Sequence, residues 1–232
     1  MQTKIIFEDN SILVIHKPAG LAVETSVVGR MDVVSELKNY LKGHYLGMIH
    51  RLDQPVEGLL VFAKTKAAAS SLSAQLADHR LKKRYTAIVC VPKDRQREFL
   101  ELYGAKNGRN LKDYLKKEGP VSVIAKKGEP GAKEARLTAY VTECGDLCEE
   151  CRCMPATLSV SIETGRFHQI RVQLSHDGYP LLGDQKYGNE MSQMLTKKQG
   201  LRNVALACDR LSFFHPETGK EVTYEITPFC GR

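Results

Sequence analysis

Four residues that could carry chemistry, His50-Arg51-Leu52-Asp53, interrupt an apolar stretch that resumes at Gly58. Asp53 is either a turn residue between two buried strands or a carboxylate placed at a strand end for catalysis. Arg51 and Asp53 are two residues apart, so in an extended segment their side chains point to the same side. An exposed Arg–Asp pair of this kind contributes little to stability. Taken alone, the pattern favours such an ordinary charged pair and leaves catalysis as the alternative.

Two further segments contain candidate functional residues. In the segment GRFHQIRVQL, Arg171 borders the buried face of a predicted helix, where it either extends to solvent or pairs with a buried carboxylate. A bidentate pair would keep an Asp ionised and fixed.

Tyr85 begins a predicted strand directly after Lys83 and Arg84. Its ring could stack on a nucleobase, although a half-buried aromatic residue is the ordinary interpretation for a strand.

The cysteines predict reduced thiols rather than a metal site. The chain has seven cysteines, and Cys144, Cys148, Cys151 and Cys153 follow a C-x₃-C-x₂-C-x-C pattern in one predicted hairpin loop. Structural zinc usually takes two separated pairs of ligands, so the crowding favours free thiols over zinc. The sequence also has no phosphate-binding glycine motif, no HExxH motif and no serine nucleophile elbow. We therefore expect no metal, no nucleotide and no organic cofactor.

Composition places the chain among globular proteins with a preference for polyanions. Its 232 residues are 42% hydrophobic and 26% charged, which suits one large domain or one domain with an insertion. No window approaches the ~20 apolar residues of a membrane span, and the N-terminus does not resemble a secretory signal. These features predict a cytoplasmic protein with no membrane partner. The net charge of +7 moderately favours nucleic acid as a partner.

Hydrophobic periodicity predicts an α+β fold with a mostly antiparallel sheet. Residues 104–133 are rich in Lys and Gly and are expected to be an excursion of short strands and loops. In the helix predicted at 166–178, Phe167, Ile170 and Leu174 share a face, with Thr164 as N-cap and Gly178 as C-cap. The predicted strands lie at 3–7, 11–16, 84–91, 135–143 and 156–164 and in two closing segments, and the predicted helices lie at 32–42, 66–80 and 166–178.

These segments, in this order, resemble the RluA-type RNA pseudouridine synthases over nearly the whole chain. The catalytic motif of that family is His-Arg-Leu-Asp, a short turn, Gly and an apolar strand ending in Ala-Lys. The matching segments are Lys17-Pro18-Ala19-Gly20, His50 to Asp53 with Gly58 to Lys64, Lys83 to Val89, Gly165 to Arg171, Gly183 to Gly188 and the closing LSFFHPETGKEV.

The chain departs from the family pattern in two ways. Val56-Glu57 replaces the usual Thr-Ser before the glycine, which affects the loop more than the reaction. Many relatives also begin with a small RNA-binding S4 domain, whereas this sequence starts directly at the first catalytic-domain strand. We therefore expect RNA to be held by the basic surface of the catalytic domain itself.

The resemblance implies a pseudouridine synthase fold, with a mixed, mostly antiparallel sheet and flanking helices. It implies one catalytic domain over residues 1–232, with a basic insertion around 104–133. The implied activity is that of an isomerase that converts uridine in ribosomal or transfer RNA to pseudouridine without a cofactor. Asp53 would attack C1′ or remove the C2′ proton. Arg171 would keep Asp53 charged, and Tyr85 would stack on the detached base.

The resemblance also implies how RNA is bound. The target uridine must leave its stack to reach Asp53, and Arg51 is placed to enter the vacated space or to touch phosphate. The Lys-rich residues 104–133 and the segment 79–84 are candidate phosphate contacts, with solvated surface as the alternative. The expected RNA-binding residues are His50, Arg51, Lys83, Arg84 and Arg166, and the protein is expected to be a monomer.

Two alternative functions remain open from the sequence. One is a non-catalytic RNA-binding protein or RNA chaperone on the same fold, which Val56-Glu57 supports best. The other is a carboxylate-dependent hydrolase of small glycosides, which needs a second carboxylate beside the bond that breaks. Glu57 is the only candidate near Asp53 in the sequence.

Overall fold

The computed structural model describes residues 1–27, 29–106 and 108–228, and these fall into two compact units. The first unit contains residues 1–84 and 207–228, and the second contains residues 85–206. The strands are β1 (Lys4–Glu8), β2 (Ile12–Lys17), β3 (Gly47–Met48), β4 (Glu57–Ala63), β5 (Lys82–Pro92), β6 (Arg109–Glu118), β7 (Val121–Ala125), β8 (Lys133–Cys144), β9 (Cys153–Ile162), β10 (Leu206–Phe214) and β11 (Glu221–Glu225). The helices are α1 (Val33–Tyr40), α2 (Lys66–Ala77), α3 (Gln96–Tyr103), α4 (Gln169–His176) and α5 (Glu190–Lys198).

The first unit is built around β4, whose seven residues are all buried. Strand β4 runs antiparallel to β2 and parallel to β10, while β1 pairs with β2 and β11 pairs with β10. A strand with neighbours on both sides and both faces covered reads as a continuous apolar run, which explains the sequence Leu59 to Ala63. The core of this unit includes Ile12, Val14, Leu59, Val61, Leu72, Leu211 and Phe213.

The second unit contains a sheet with the strand order β5-β9-β8-β6-β7. Strands β8 and β9 pair antiparallel from Leu137↔Ile162 to Cys144↔Ala156, which confirms the predicted hairpin. The expectation of short strands and loops at 104–133 is wrong for β6 and correct for the five-residue β7 and the loop between β7 and β8. Strand β6 has ten residues and pairs with both β8 and β7. Its many lysines hide the alternation in the sequence, because only Leu111 and Leu115 are buried.

Five α-helices occur among the described residues, where the sequence predicted about three. Helices α1 and α2 are confirmed, and the side chains of Asp32 and Thr65 cap them by accepting hydrogen bonds from the backbone N–H of Ser35 and Ala68. Helices α3 and α5 were missed because both are short and mostly polar. Helix α5 begins with an Asn189–Ser192 capping box.

Helix α4 begins later than the sequence predicted. Its N-cap is His168, with φ 55°, and not Thr164, whose hydroxyl instead donates to Gln169 Oε1 at 2.8 Å. Phe167 precedes the helix and is 38% exposed, so its predicted place on the buried face is wrong, whereas Ile170 and Leu174 are buried. Gly178, with φ 94°, follows the C-cap residue Asp177.

Gly58 lets β4 and β10 approach each other closely. Its φ is 136°, and a Cβ at this position would lie 2.5 Å from both the backbone N and O of Cys208. Because a backbone neighbour cannot rotate away as a side chain can, we expect Gly58→Ala to lower the free energy of unfolding by about 1–3 kcal/mol.

Gly43→Ala is the matched control, because Gly43 has φ 82° but nothing within 4 Å of its Cβ position. Urea denaturation of both variants separates the strain of positive φ from the clash with β10. Equal losses of stability in the two variants would contradict a steric requirement for glycine at position 58.

Candidate active site

Asp53 lies half-buried in a turn that leads into β4. The N–H of Val56 donates to the Asp53 carbonyl at 3.0 Å and closes this turn. The adjacent residue Gln54 exchanges two hydrogen bonds with Gly20: Gly20 N–H donates to Gln54 O at 2.9 Å, and Gln54 Nε2 donates to Gly20 O at 3.0 Å. The turn that carries Asp53 is therefore joined to the Lys-Pro-Ala-Gly turn at the end of β2.

A buried lysine connects the same two turns. Lys17 has no exposed surface, and its Nζ donates to the carbonyls of Pro18 (2.9 Å), Leu21 (2.8 Å) and Gln54 (3.1 Å). Burial lowers the pKa of Lys17 to about 7, while the carboxylates of Asp53 and Glu57 act in the opposite direction. All three partners of Nζ are hydrogen-bond acceptors, so they favour the ammonium form of Lys17, whose three N–H donors they fully use. In the sequence, Lys17 stood out only as part of a turn, although a lysine directly after an apolar strand is a signal for such a role.

Glu57 forms a second buried polar pair near this turn. It is 4% exposed, and its Oε1 lies 2.9 Å from Nε2 of His16 in the neighbouring strand β2. Val56 is also buried, at 2% exposure. The two residues that depart from the family pattern are thus an apolar core residue and a carboxylate held by a histidine.

His50 and Arg51 differ sharply in environment. His50 is buried, and its Nε2 accepts a long 3.4 Å hydrogen bond from Val61 N–H. Burial holds the pKa of His50 well below its usual range, and the charge of Lys83 acts in the same direction. The imidazole is therefore neutral near pH 7. Arg51 is exposed.

Lys83 and Arg84 also belong to the first unit. Burial lowers the pKa of Lys83, while the charge interaction with Cys208 acts in the opposite direction. The Arg84 guanidinium pairs with Asp209, with 2.7 Å between Nη2 and Oδ2 and 3.1 Å between Nε and Oδ2. This ion pair already engages the Arg84 guanidinium. The contact of Arg84 with RNA stays a prediction.

The remaining candidates lie in the second unit. Tyr85 lies in β5 and is only 5% exposed. It is therefore more deeply buried than the half-buried strand residue that the sequence predicted. Arg166 is exposed, and its Nε donates to the backbone O of Glu134 at 2.8 Å.

Arg171 is buried and forms a bidentate ion pair with Asp184. Its Nε donates to Asp184 Oδ2 at 2.8 Å, and its Nη2 donates to Oδ1 at 2.7 Å. Burial raises the pKa of Asp184, but the hydrogen bonds and charge of Arg171, with the backbone N–H groups of Lys186 and Tyr187, lower it overall. Of the two alternatives for Arg171, pairing with a buried carboxylate is confirmed. The carboxylate is Asp184, which the sequence analysis did not single out, and pairing with Asp53 remains a prediction.

Two kinds of feature are absent from residues 1–27, 29–106 and 108–228. In that part of the chain, no group of three or more His, Cys, Asp or Glu side chains is arranged to hold a metal ion. No helix there is long and apolar enough to cross a membrane.

Residues 11–176 match a family model described as RNA pseudouridylate synthase. The chain is 33% identical to the ribosomal large subunit pseudouridine synthase D of Neisseria meningitidis, covering 97% of this chain and 58% of that protein. It is 29% identical to the tRNA pseudouridine synthase C of Haemophilus ducreyi, covering 96% of this chain and 90% of that protein. The chain thus spans less than two thirds of the Neisseria relative.

Solved structures share the fold. The human RNA pseudouridylate synthase domain containing 1 aligns with a TM-score of 0.73 at 19% identity, covering 97% of this chain and 83% of that one. The human RNA pseudouridylate synthase domain containing 4 aligns with a TM-score of 0.72 at 23% identity, covering 97% and 89%. The α+β fold class expected from the sequence is therefore confirmed.

The buried, neutral His50 predicts a pH dependence of stability. Its pKa is near 6.5 in the unfolded chain and well below that in the folded chain. As pH falls below 6.5, the unfolded chain binds a proton that the folded chain does not, so stability decreases by up to about 1.4 kcal/mol per pH unit. We measure the free energy of unfolding by urea denaturation between pH 7.5 and 5. We expect His50→Gln to lose the part of its pH dependence that comes from His50. The control His44→Gln, at an exposed position, should keep it, and equal slopes in all three proteins would contradict a buried neutral His50.

The Arg171–Asp184 pair predicts a large effect of a small substitution. Asp184→Asn keeps the shape of the side chain but removes the buried negative charge that forms the bidentate pair with Arg171. We expect the free energy of unfolding to fall by about 3–5 kcal/mol, measured by urea denaturation. Asp146→Asn, at an exposed position, should change it by no more than about 0.5 kcal/mol. A similarly small effect at Asp184 would show that the pair does not stabilise the second unit.

Proposed function

The chain belongs to the RNA pseudouridylate synthase family, and we propose that it isomerises uridine in RNA to pseudouridine with Asp53 as the catalytic carboxylate. The observation that carries this proposal is the placement of Asp53. It is half-buried in a turn fixed by hydrogen bonds to Gly20, and Lys17 is close enough for their charges to interact.

The reaction requires little beyond a positioned carboxylate. The N-glycosidic bond of uridine breaks, the base turns, and a carbon of the base rejoins C1′, so no oxidant, reductant or co-substrate is consumed. Asp53 either attacks C1′ or removes the C2′ proton, and both routes need the carboxylate ionised. Lys17 supplies positive charge nearby without blocking Asp53, because three backbone carbonyls fix its Nζ.

Arg171 and Tyr85 complete the proposed catalytic set. Asp184 orients the Arg171 guanidinium through a two-point contact, and the role proposed for this cation is the one that the family motif implies, support of the catalytic carboxylate. The ring of Tyr85 stacks on the detached base and limits its escape, while its hydroxyl assists proton transfer.

The proposed substrate is ribosomal or transfer RNA, since the two bacterial relatives are named for these RNAs. Sites in RNA loops suit a mechanism that extrudes the target uridine. The exposure of Arg51 and Arg166 supports direct contact with RNA. His50, Lys83 and Arg84 are proposed to act behind Arg51 within the first unit, because His50 is buried and Arg84 is paired with Asp209. We further propose that the protein acts as a monomer in the cytoplasm.

The test is Asp53→Asn, assayed by tritium release from RNA labelled at uridine C5. We expect a loss of at least about 10²–10⁴-fold in rate with RNA binding retained, because the amide cannot serve as nucleophile or base. Asp78→Asn, at an exposed position, is the matched control and should act at the wild-type rate. Turnover by Asp53→Asn at that rate would refute the role of Asp53. RNA binding by the wild type without any pseudouridine formation would favour the non-catalytic alternative.

A further inference from the structure

The residues Cys148-Glu149-Glu150-Cys151 form a tight loop at the start of β9. Cys148 N–H donates to Cys153 O at 2.9 Å, and Cys153 N–H donates back to Cys148 O at 3.3 Å. Inside this pair, Arg152 N–H donates to Glu149 O at 3.2 Å. This turn folds the chain back between the two cysteines, and the N–H of Cys151 reaches Cys148 Sγ at 3.2 Å. The loop therefore holds Cys148 and Cys151 close together.

The two sulfurs have different surroundings. The backbone N–H of Cys151 donates to Cys148 Sγ at 3.2 Å. Cys148 is half-buried and reachable from solvent, whereas Cys151 is only 4% exposed. A reagent can thus approach Cys148 first, with Cys151 directly behind it.

Ion pairs hold the loop and place positive charge beside Cys148. Lys93 pairs with Glu149 at 2.7 Å, and Lys198, in the last turn of α5, pairs with Glu150 at 2.9 Å. A hydrogen bond from the Cys151 thiol lowers the pKa of Cys148, and the Cys151 N–H and the charge of Lys198 add to this against the effect of burial. The same hydrogen bond raises the pKa of Cys151 to about 11. Cys148 is therefore the sulfur that ionises.

The neighbouring cysteines lack these features. Cys90 and Cys153 lie in an apolar cluster that also contains Cys151 and against which Cys148 packs, and burial raises the pKa of the Cys90 and Cys153 thiols. Cys144 is exposed, but its pKa is also raised. Since the thiolate is the reactive form, these three sulfurs are less reactive than Cys148.

We propose that Cys148 and Cys151 are a redox-active dithiol that exchanges with low-molecular-weight disulfides such as oxidised glutathione. The Cys148 thiolate attacks one glutathione sulfur, a mixed disulfide forms, the glutathione S–S bond breaks, and the first glutathione thiolate leaves and takes a proton from water. Cys151 then gives its proton to water, and its sulfur attacks Cys148. The mixed disulfide breaks, the second glutathione leaves, and the net result is one protein disulfide and two reduced glutathione molecules.

The test exposes the full chain to buffers of increasing oxidised-to-reduced glutathione ratio. Remaining thiols are blocked with an alkylating reagent, and the chain is cut at Glu149 and Glu150 before mass spectrometry. This cleavage separates the two cysteines, so a disulfide is detected as two joined peptides. We expect the loss of two of the seven thiols and a joined pair containing Cys148 and Cys151.

Two variants sharpen the result. Cys151→Ser removes the second step, so we expect a stable glutathione adduct on Cys148. Cys144→Ser, the matched control outside the loop, should form the disulfide at the wild-type ratio. Preferential oxidation of Cys90, Cys144 or Cys153 would overturn the proposal. So would protection of the thiols by one tightly bound zinc ion per chain, or a disulfide that forms only after denaturation.

Discussion

The buried ammonium of Lys17 is the constraint on which the proposed site depends. A charge removed from water is costly unless hydrogen bonds replace its hydration, and here three backbone carbonyls do so. Two of these carbonyls belong to the turn after β2, and the third belongs to Gln54, next to Asp53. Neither turn can move without leaving the amine unsatisfied, so the position of Asp53 follows from the burial of Lys17.

The second unit fixes its own candidate residue in a related way. Arg171 is held by two parallel hydrogen bonds to a carboxylate that is itself bound by two backbone N–H groups. A guanidinium constrained in this manner loses little further conformational freedom when it meets a substrate or another charge. In both units, a buried charged side chain is fixed by several hydrogen bonds beside a candidate residue, whereas Arg51 and Arg166 are exposed.

Local signals in the sequence were sufficient for part of the fold and for part of the site. Strands β2 and β4 are continuous apolar runs, and β8, β9, α1 and α2 have clear hydrophobic periods, whereas the lysines of β6 and the polar surface of α3 conceal theirs. Asp53 and Arg171 stand in recognisable motifs. Lys17 and Asp184 also lie in matching segments, but their roles became apparent only through the partners Gln54 and Arg171, which lie 37 and 13 residues away, respectively. Such pairings are set by tertiary structure, which no local pattern encodes.

The pair formed by His16 and Glu57 has a consequence for how this protein can evolve. Each side chain satisfies the other inside the first unit, at 2.9 Å. Replacing either one alone removes this hydrogen bond from a side chain inside the unit, which is more costly than replacing both. The two positions are therefore expected to change together along a lineage, so a return to the serine usual at position 57 requires a compensating change in β2.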